Sequence, residues 1–493
     1  MKKILIFTAT AIIAILIYSS IFSSTKPDKP NLVAAKTPKD TSYIVLAWND
    51  LGMHCANKYF GKMAILPPYN NQRAQIIKIG NATTPPQIDT AGFNVTYEIP
   101  GNTYSVGKTD FWTYAQTLFG VSLPNNIGLT GAGLSGNMTY SGNTFYINGI
   151  PLTPYPDSDL VNEHPFQLTL IKVYDANNNF ITSTKSVIPV SNEISCLGSG
   201  CHVSEQAILD NHPVVAGYNP NNTPILCATC HKDNALGMPG NDSTMSFSEA
   251  MHGKHSTIIT SDCYQCHPGP NTQCFRDTMS RNGTTCVDCH GIVKNVANTI
   301  MCGREAWLNE PECGNAYCHG AAAATEPGKL YKNSKGHGQL YCSACHGSPH
   351  AIVPTREPND NLQNMELQDG SALGLFKCEV CHGVAPSGPG PHGIFASDIN
   401  YFAAKNAANV LLDIYPNPVK ESATIPFNLA KKNKVKLTIY NISGQQVKLY
   451  IDQHMAAGSY TVSFTSEGLS KGVYYCVLNV GDEVYSKKIT VID

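Results

Sequence analysis

The middle of this chain is dominated by one short pattern, which residues 342–346 spell as CSACH. Two cysteines separated by two residues are followed at once by a histidine, and this C-x-x-C-H pattern occurs five times. Two further copies have four residues between the cysteines, so 14 of the 18 cysteines fall into seven pairs that end in Cys-His. A disulfide framework does not require a histidine after every second cysteine. The pattern therefore indicates a bound group rather than a set of cross-links.

Covalent heme attachment accounts for each part of this pattern. Two thiols add to the two vinyl groups of one heme, and the histidine that follows ligates the iron from the same side. A closed zinc site would need a second cysteine pair for each copy, and the spacing does not supply it. We therefore predict seven hemes c. The predicted attachment cysteines and proximal histidines are Cys196/Cys201/His202, Cys227/Cys230/His231, Cys263/Cys266/His267, Cys286/Cys289/His290, Cys313/Cys318/His319, Cys342/Cys345/His346 and Cys378/Cys381/His382.

The other histidines are candidates for the second axial position of each iron. Of the 16 histidines, nine lie outside the motifs, and His454 among them falls in the C-terminal part. His350 follows His346 by four residues, so it has to serve a neighbouring heme rather than that of its own motif. The candidate distal ligands are His54, His164, His212, His252, His255, His337, His350 and His392.

Six of these eight candidates lie in the same region as the seven motifs, which leaves one heme short of a ligand. Either the N-terminal part supplies the last ligand, or one heme has an open or non-histidine sixth position. Our hypothesis is that His54 supplies it, because Gly52 nearby lets backbone approach a heme edge. His164 is the alternative from the same part of the chain.

The spacing of the motifs bears on function. Successive motif histidines are 23 to 36 residues apart, so neighbouring hemes are held close enough to exchange electrons. The sequence predicts an electron carrier with mostly bis-histidine hemes rather than an enzyme, and we assign no catalytic residue. The alternative is a multiheme oxidoreductase that reduces a small inorganic substrate, of the nitrite, hydroxylamine or tetrathionate type, at one open heme.

Four cysteines lie outside the motifs. Cys274 and Cys302 bracket the fourth motif, and in an oxidising compartment these two are candidates for a disulfide. Cys55 and Cys476 have no clear partner in the sequence.

The remainder of the chain indicates an exported protein with several domains. Lys2, Lys3 and an apolar run to about Tyr18 are typical of a secretory signal, and the run is short for a membrane span of about 20 residues. We therefore expect no stable membrane span after signal removal. The expected organisation is a signal peptide at 1–24, a linker at 25–40, a β-sandwich-like domain at 41–192, a heme-packed domain of short helices and loops at 193–398, a linker at 399–410 and an all-β, Ig-like domain at 411–493.

Three short stretches near the chain end carry a resemblance. YPNP at 415–418, IYNISG at 439–444 and LSKGVY at 469–474 are followed by KKI at 487–489. These pieces closely resemble the C-terminal sorting domain of type IX secretion, in that family's order and at the chain end. The resemblance implies the type IX secretion machinery as a partner and export through the periplasm to the cell surface or the extracellular space.

Two other parts of the chain are similar to multiheme cytochromes of extracellular respiration. They are residues 274–291 with GREAWLNEP at 303–311, and the heme-free stretches NDLGMHC at 49–55 and ILPPYN at 65–70. The resemblance implies electron transfer outside the cell, and the partners we expect are redox proteins or an extracellular acceptor. A homo-oligomer or a filament is a candidate assembly. The family uses C-x-x-C-H in most motifs, so the two longer motifs depart from its usual form. The formal net charge of -2 gives no indication of nucleic-acid binding.

Overall fold

The structure is a computed structural model. It describes residues 42–192, 194–269, 271–305, 308–309, 313–314, 319–320, 326, 328–368, 370–388, 390–393, 410–412, 414–455 and 458–492. The expected signal peptide, both expected linkers except residue 410, and Cys318 of the fifth motif lie outside these residues.

The N-terminal region is built mainly from strands. They are β1 (Tyr43–Trp48), β2 (His54–Cys55), β3 (Met63–Ala64), β4 (Asn71–Lys78), β5 (Gln87–Ile88), β6 (Asn94–Glu98), β7 (Ser135–Asn137), β8 (Thr139–Ser141), β9 (Thr144–Asn148), β10 (Phe166–Tyr174) and β11 (Phe180–Ser191), with helix α1 (Phe111–Phe119) between β6 and β7. One sheet has the order β1-β4-β9-β8 with β5 added to β4, and the other has the order β2-β11-β10-β6-β7.

These two sheets share an apolar core. Val45 and Ile76 from the first sheet pack with Tyr97, Ile171 and Ile188 from the second. Inward side chains alternate with outward ones along β6 and β10, as the period of a strand requires. The result is a sandwich whose core depends on no other part of the chain.

Strand β1 is an exception because it is buried on both faces. Val45 and Ala47 face the core of the sandwich, whereas Leu46 and Trp48 pack against Ala344 of the sixth motif. A strand with two covered faces is apolar at successive positions rather than at every second one. The first sheet therefore packs its second face against the middle region.

The middle region consists of short elements joined by loops. Its helices and strand are α2 (Glu205–Asp210), β12 (Ile225–Leu226), α3 (Phe247–His255), α4 (Thr278–Arg281), α5 (Cys286–His290), α6 (Val293–Met301), α7 (Cys342–His346), α8 (Pro358–Leu367) and α9 (Glu379–His382), with 3-10 turns at Cys227–Thr229, Cys263–Gln265, Tyr331–Asn333, His337–Gln339 and Pro391–Gly393. Strand β12 pairs in parallel with β3, which joins this region to the N-terminal one.

The C-terminal region contains only strands among its described residues. They are β13 (Val410–Leu411), β14 (Ser422–Leu429), β15 (Asn433–Asn441), β16 (Gln446–Met455), β17 (Gly458–Thr465), β18 (Gly472–Val480) and β19 (Glu483–Val491), in sheets of order β13-β14-β17 and β16-β15-β18-β19. The two sheets enclose a core that includes Phe427, Leu437, Phe464 and Cys476. The predictions of a mixed fold and an all-β C-terminal domain are confirmed. In the part of the chain described, no helix is long and apolar enough to cross a bilayer.

Candidate functional site

Each C-x-x-C-H motif forms about one helical turn. In three of them the histidine N–H donates to the carbonyl of the first cysteine, at 3.0 Å for His231, 2.8 Å for His267 and 2.9 Å for His382. Residues i, i+3 and i+4 share one face of a helical turn. The local fold therefore directs two thiols and one imidazole to the same side.

The two longer motifs close in a similar way despite their longer spacers. His202 N–H donates to the Cys196 carbonyl at 3.1 Å, and His319 N–H donates to the Cys313 carbonyl at 3.3 Å. The four-residue spacer is thus accommodated within a wider turn that still returns the histidine to the first cysteine. We number the seven motifs in chain order as sites 1 to 7.

The fold does not cover all the predicted attachment thiols. Cys201 of site 1, Cys230 of site 2 and Cys289 of site 4 are exposed, and so is Cys313 of site 5, whereas the first cysteine of sites 1, 2 and 4 is partly buried. These four thiols therefore lie at the protein surface. The physical reason is that the middle region has few apolar side chains, so one side of these short turns remains at the surface.

Six of the seven motif histidines lie beside a histidine from outside the motifs. No histidine occurs in more than one of these pairs, although the partners come from distant parts of the chain. The distances between ring centroids are 6.3 Å for His202 and His255 (site 1), 6.0 Å for His231 and His212 (site 2), 6.0 Å for His267 and His252 (site 3), 6.2 Å for His290 and His350 (site 4), 5.9 Å for His346 and His392 (site 6) and 5.9 Å for His382 and His337 (site 7).

This separation matches the requirement of two imidazoles that ligate one iron from opposite sides. A metal–nitrogen bond of about 2 Å on each side, with the nitrogen about 1 Å from its ring centre, puts the two centroids about 6 Å apart. Among the described residues, no group of three or more His, Cys, Asp or Glu side chains is arranged to hold a metal ion. A porphyrin supplies four of the six iron ligands, so pairs of histidines are the set that heme needs.

Hydrogen bonds orient several of these rings. The Nδ1 atom lies 2.8 Å from the Ser248 carbonyl in His252, 2.7 Å from the Met251 carbonyl in His255 and 2.8 Å from the Met245 carbonyl in His231. A carbonyl accepts only from a protonated Nδ1, which leaves Nε2 with its lone pair free. This arrangement is the usual support for a metal-binding histidine.

The surrounding protein keeps several of the paired imidazoles neutral, although His267 and His350 are themselves exposed at the surface. Loss of hydration lowers the pKa of His267 to about 4, with smaller contributions from His252 and His290. It also lowers the pKa of His350 to about 4 and, with His392 nearby, depresses the pKa of His346. The neutral imidazole is the form that binds a metal.

Helix α3 supplies two of the partner histidines. The Ser246 side chain accepts from the Glu249 N–H at 3.1 Å and caps the helix start. His252 and His255 then lie three residues apart, on one face of the last turn. The short helix thus presents one imidazole to site 3 and one to site 1.

The loop around His350 is held in a strained conformation. His350 has φ +62°, a left-handed conformation that costs free energy in residues other than glycine. Its carbonyl accepts from Arg276 N–H at 3.0 Å, and the Arg276 side chain forms a buried ion pair with Asp360 at 2.6 Å. His392, the partner in site 6, also has positive φ at +57°.

The structure does not bring His54 or His164 to His319 of site 5, which is the motif histidine outside the six pairs. His54 is buried on β2 with Nε2 2.7 Å from the Pro67 carbonyl, and its ring lies 5.8 Å from that of Tyr69. His164 is exposed and lies 3.1 Å from Asp159. These neighbours give both histidines roles within the N-terminal region.

Gly52 lies close to the middle region, but at another point. Its backbone has φ +78°, and an added Cβ would lie 3.9 Å from the Pro349 carbonyl, next to His350. The backbone approach that we expected at Gly52 is thus made to the loop of site 4.

The cysteines outside the motifs are not joined to one another. Cys274 and Cys302, the candidate disulfide, are both free thiols, with Cys302 exposed at the end of α6. Cys476 is buried in the core of the C-terminal domain, and Cys55 lies half-buried on β2.

The sequence alone did not identify the aromatic residues near the histidine pairs. Tyr218 stacks on His212 with ring centroids 4.2 Å apart, and Phe247 lies 6.2 Å from His231. Tyr331 donates to the Gly347 carbonyl at 2.7 Å, directly after the sixth motif. No motif marks Tyr218 or Tyr331, whereas Phe247 follows the cap residue of α3, and that cap was a usable signal.

Comparison with known proteins identifies one part of the chain. Residues 413–492 match the secretion system C-terminal sorting domain, which confirms the predicted type IX sorting domain. This domain interacts with the type IX machinery and directs export to the cell surface or beyond. No curated protein matches the chain significantly. Among solved structures, it is similar to dimeric latent PorU from Porphyromonas gingivalis at 10% identity and a TM-score of 0.15, over 91% of this chain and 20% of that one. So low a TM-score carries no argument about fold.

Proposed function

We propose that this chain is an exported multiheme c-type cytochrome that carries electrons outside the cell. The observation that carries this proposal is the set of six histidine pairs, each of which joins one motif histidine to one histidine from elsewhere. Seven thiol pairs would attach the cofactor, and the paired imidazoles would hold its iron from both sides. When bound, heme supplies one-electron oxidation and reduction at iron.

The protein side chains set the conditions at these sites. Motif turns fix the thiols and the proximal imidazole, whereas α3 and the loop at His350 fix partner imidazoles. Carbonyls that accept from Nδ1 select the tautomer in which Nε2 keeps its lone pair. An iron held by both imidazoles of a pair would have no position left for a substrate, so the six paired sites favour conduction over catalysis.

Heme stoichiometry tests this proposal. Intact mass and a pyridine hemochrome assay of the mature protein should give seven covalent hemes. The double variant Cys227→Ser/Cys230→Ser should have one heme fewer, whereas Cys302→Ser, an exposed cysteine outside the motifs, should keep all seven. Five hemes would mean that the two longer motifs stay empty, and a protein without covalent heme would overturn the proposal.

The export route is a second part of the proposal. Heme attachment would take place in the periplasm, before the C-terminal domain directs the protein across the outer membrane. Deletion of residues 411–493 should leave heme-loaded protein in the periplasm. Surface display of the truncated protein at the normal level would contradict this route.

One observation favours a reductase as the second candidate. All 16 histidines lie among the described residues, and His319 of site 5 has no second imidazole beside it there. An iron with one protein ligand can bind a small substrate. Electron paramagnetic resonance of the oxidised protein should show whether one heme in seven is high-spin. A high-spin signal together with turnover of nitrite, hydroxylamine or tetrathionate would support the reductase.

A further inference from the structure

We propose that six of the sites form one continuous row in the order 2, 1, 3, 4, 6, 7, which differs from their order in the sequence. This inference rests on the proposed function, because the sites matter as a row only if each holds a heme. Each link in the row is a contact between protein segments that belong to two different sites.

Helix α3 joins site 1 to site 3. His255 lies beside His202 of site 1, and His252, one turn earlier, lies beside His267 of site 3. A second contact supports this link, because Ser199 Oγ in the first motif donates to the Gln265 carbonyl in the third at 2.6 Å. Sites 1 and 3 are therefore neighbours although the second motif lies between them in the sequence.

Site 2 lies on the other side of site 1. Cys227 of site 2 packs in one apolar cluster with Ile194, which precedes the first motif by two residues, and with Leu209, which precedes His212. Partial burial of the Cys227 thiol raises its pKa to about 12, with smaller contributions from Asp233 and from the Cys196 thiol of site 1. Site 2 thus forms one end of the row.

Sites 3 and 4 touch through their thiols. The Cys263 and Cys286 side chains lie within hydrogen-bond reach of each other, which lowers the pKa of Cys286 and raises that of Cys263. The following segments are also joined, because Val293 N–H donates to the Thr260 carbonyl at 3.0 Å.

One short loop joins site 4 to site 6. His346 belongs to the sixth motif, and four residues later His350 lies beside His290 of site 4. The loop is closed by Val353 N–H, which donates to the His346 carbonyl at 2.8 Å. The two histidines therefore lie in adjacent sites without the fifth motif between them.

Sites 6 and 7 share a segment and an apolar cluster. His337 lies beside His382 of site 7, and Cys342 of site 6 follows only five residues later. Ala344 and Cys381 pack in the same cluster against β1. Site 5 is not part of the proposed row because Cys318 lies outside the described residues.

The order of the irons in a cryo-electron microscopy map of the heme-loaded protein tests the row directly. The two irons nearest to that of site 3 should be those of sites 1 and 4. The distance from the iron of site 4 to that of site 6 should be shorter than its distance to that of site 2. A map in which the iron of site 2 lies between those of sites 1 and 3 would overturn the order. Absence of heme would instead overturn the proposed function, so the two failures are distinguishable.

The role of α3 has a separate spectroscopic test. His255→Ala and His252→Ala should each turn one heme high-spin, whereas Ala250→Pro, which breaks the helix before both histidines, should turn two high-spin. Ala250→Ser at the same position should leave all hemes as they are. If Ala250→Pro keeps seven hemes but changes only one or none of them, α3 does not link two sites.

Discussion

The N-terminal sandwich and the middle region use their apolar residues very differently. Among the described residues, thirty-one buried apolar residues lie between 42 and 192, but only ten lie between 194 and 393. The longer region thus has the smaller core, and burial of apolar surface is the main favourable term in folding. The sandwich can fold on its own side chains, whereas the middle region needs added apolar volume, which hemes would supply.

Preventing attachment of the proposed hemes should have the largest effect on the difference in stability between the two regions. A protein in which all fourteen motif cysteines are serine should be digested throughout residues 194–393, while residues 42–192 resist, because only the sandwich has a sufficient core. Limited proteolysis followed by mass spectrometry measures this. Equal resistance of both regions would mean that the middle region folds without its cofactor.

The second-largest effect on stability is expected at the buried ion pair of Arg276 and Asp360, because Arg276 also holds the loop of His350 near site 4. The two side chains are 2% and 5% exposed and form two hydrogen bonds, at 2.6 and 2.8 Å. Asp360→Asn leaves a buried cation without its partner and should lower the free energy of unfolding by about 3–5 kcal/mol.

A matched control for this pair is the exposed ion pair of Lys329 and Glu326. Glu326→Gln should lower the free energy of unfolding far less than Asp360→Asn in the same denaturant titration, because solvent screens an exposed ion pair. If the two variants are equally stable, the buried pair does not hold the loop of His350.

The stability of the N-terminal sandwich should depend on pH through His54. Burial lowers the pKa of His54 to about 4, whereas an unfolded histidine titrates near 6.5. The unfolded state therefore binds more protons in this interval, and stability should fall by about 3 kcal/mol as the pH drops from 6.5 to 4. His54→Gln should flatten this slope, and His454→Gln, at an exposed position, should not.

The same variant tests the hypothesis that His54 is a heme ligand. With the neighbours that the structure gives it, His54→Gln should leave the spin state of every heme unchanged. A variant with one additional high-spin heme would show that His54 does ligate an iron.

The smallest effect is expected at the cap of α3. Ser246→Ala removes the side chain that accepts from Glu249 N–H and should cost about 1 kcal/mol. Thermal unfolding of the heme-loaded protein measures it, with the exposed Ser243→Ala as the control. An unchanged melting temperature would mean that iron ligation alone fixes the helix.

Local features of the chain could be predicted from the sequence, and long-range ones could not. The start of α3 follows from Ser246 and Glu249, and the C-terminal domain follows from its short motifs. The partner of each motif histidine depends on contacts across the fold, so counting gave six candidates without their assignment. The Cys274–Cys302 disulfide stays a prediction, because both thiols are free here and closeness to one motif in the sequence does not determine whether two thiols meet.

Exposure of the motif thiols is another property that the motif itself does not determine. Cys201, Cys230 and Cys289 occupy the same second position as Cys266, yet they are exposed and Cys266 is partly buried. The difference depends on which loops of the middle region pass over each turn, and the spacing of the cysteines carries no information about those loops.

Strand β1 is a second case in which the local sequence does not reveal a long-range contact. Its continuous apolar run at residues 43–48 indicates that both faces are covered, but nothing local indicates that the second face is covered by the sixth and seventh motifs. His54 is a similar case, because the Pro67 carbonyl that satisfies it comes from a loop that sequence spacing cannot place.

The two-sided burial of β1 has a consequence for biogenesis. Leu46 and Trp48 of this strand are covered by residues that are synthesised almost 300 positions later. Until those residues fold against β1, the sandwich exposes an apolar outer face. The nascent protein is therefore most prone to aggregation, and most in need of a chaperone, in the interval between folding of the sandwich and packing of the sixth motif against β1.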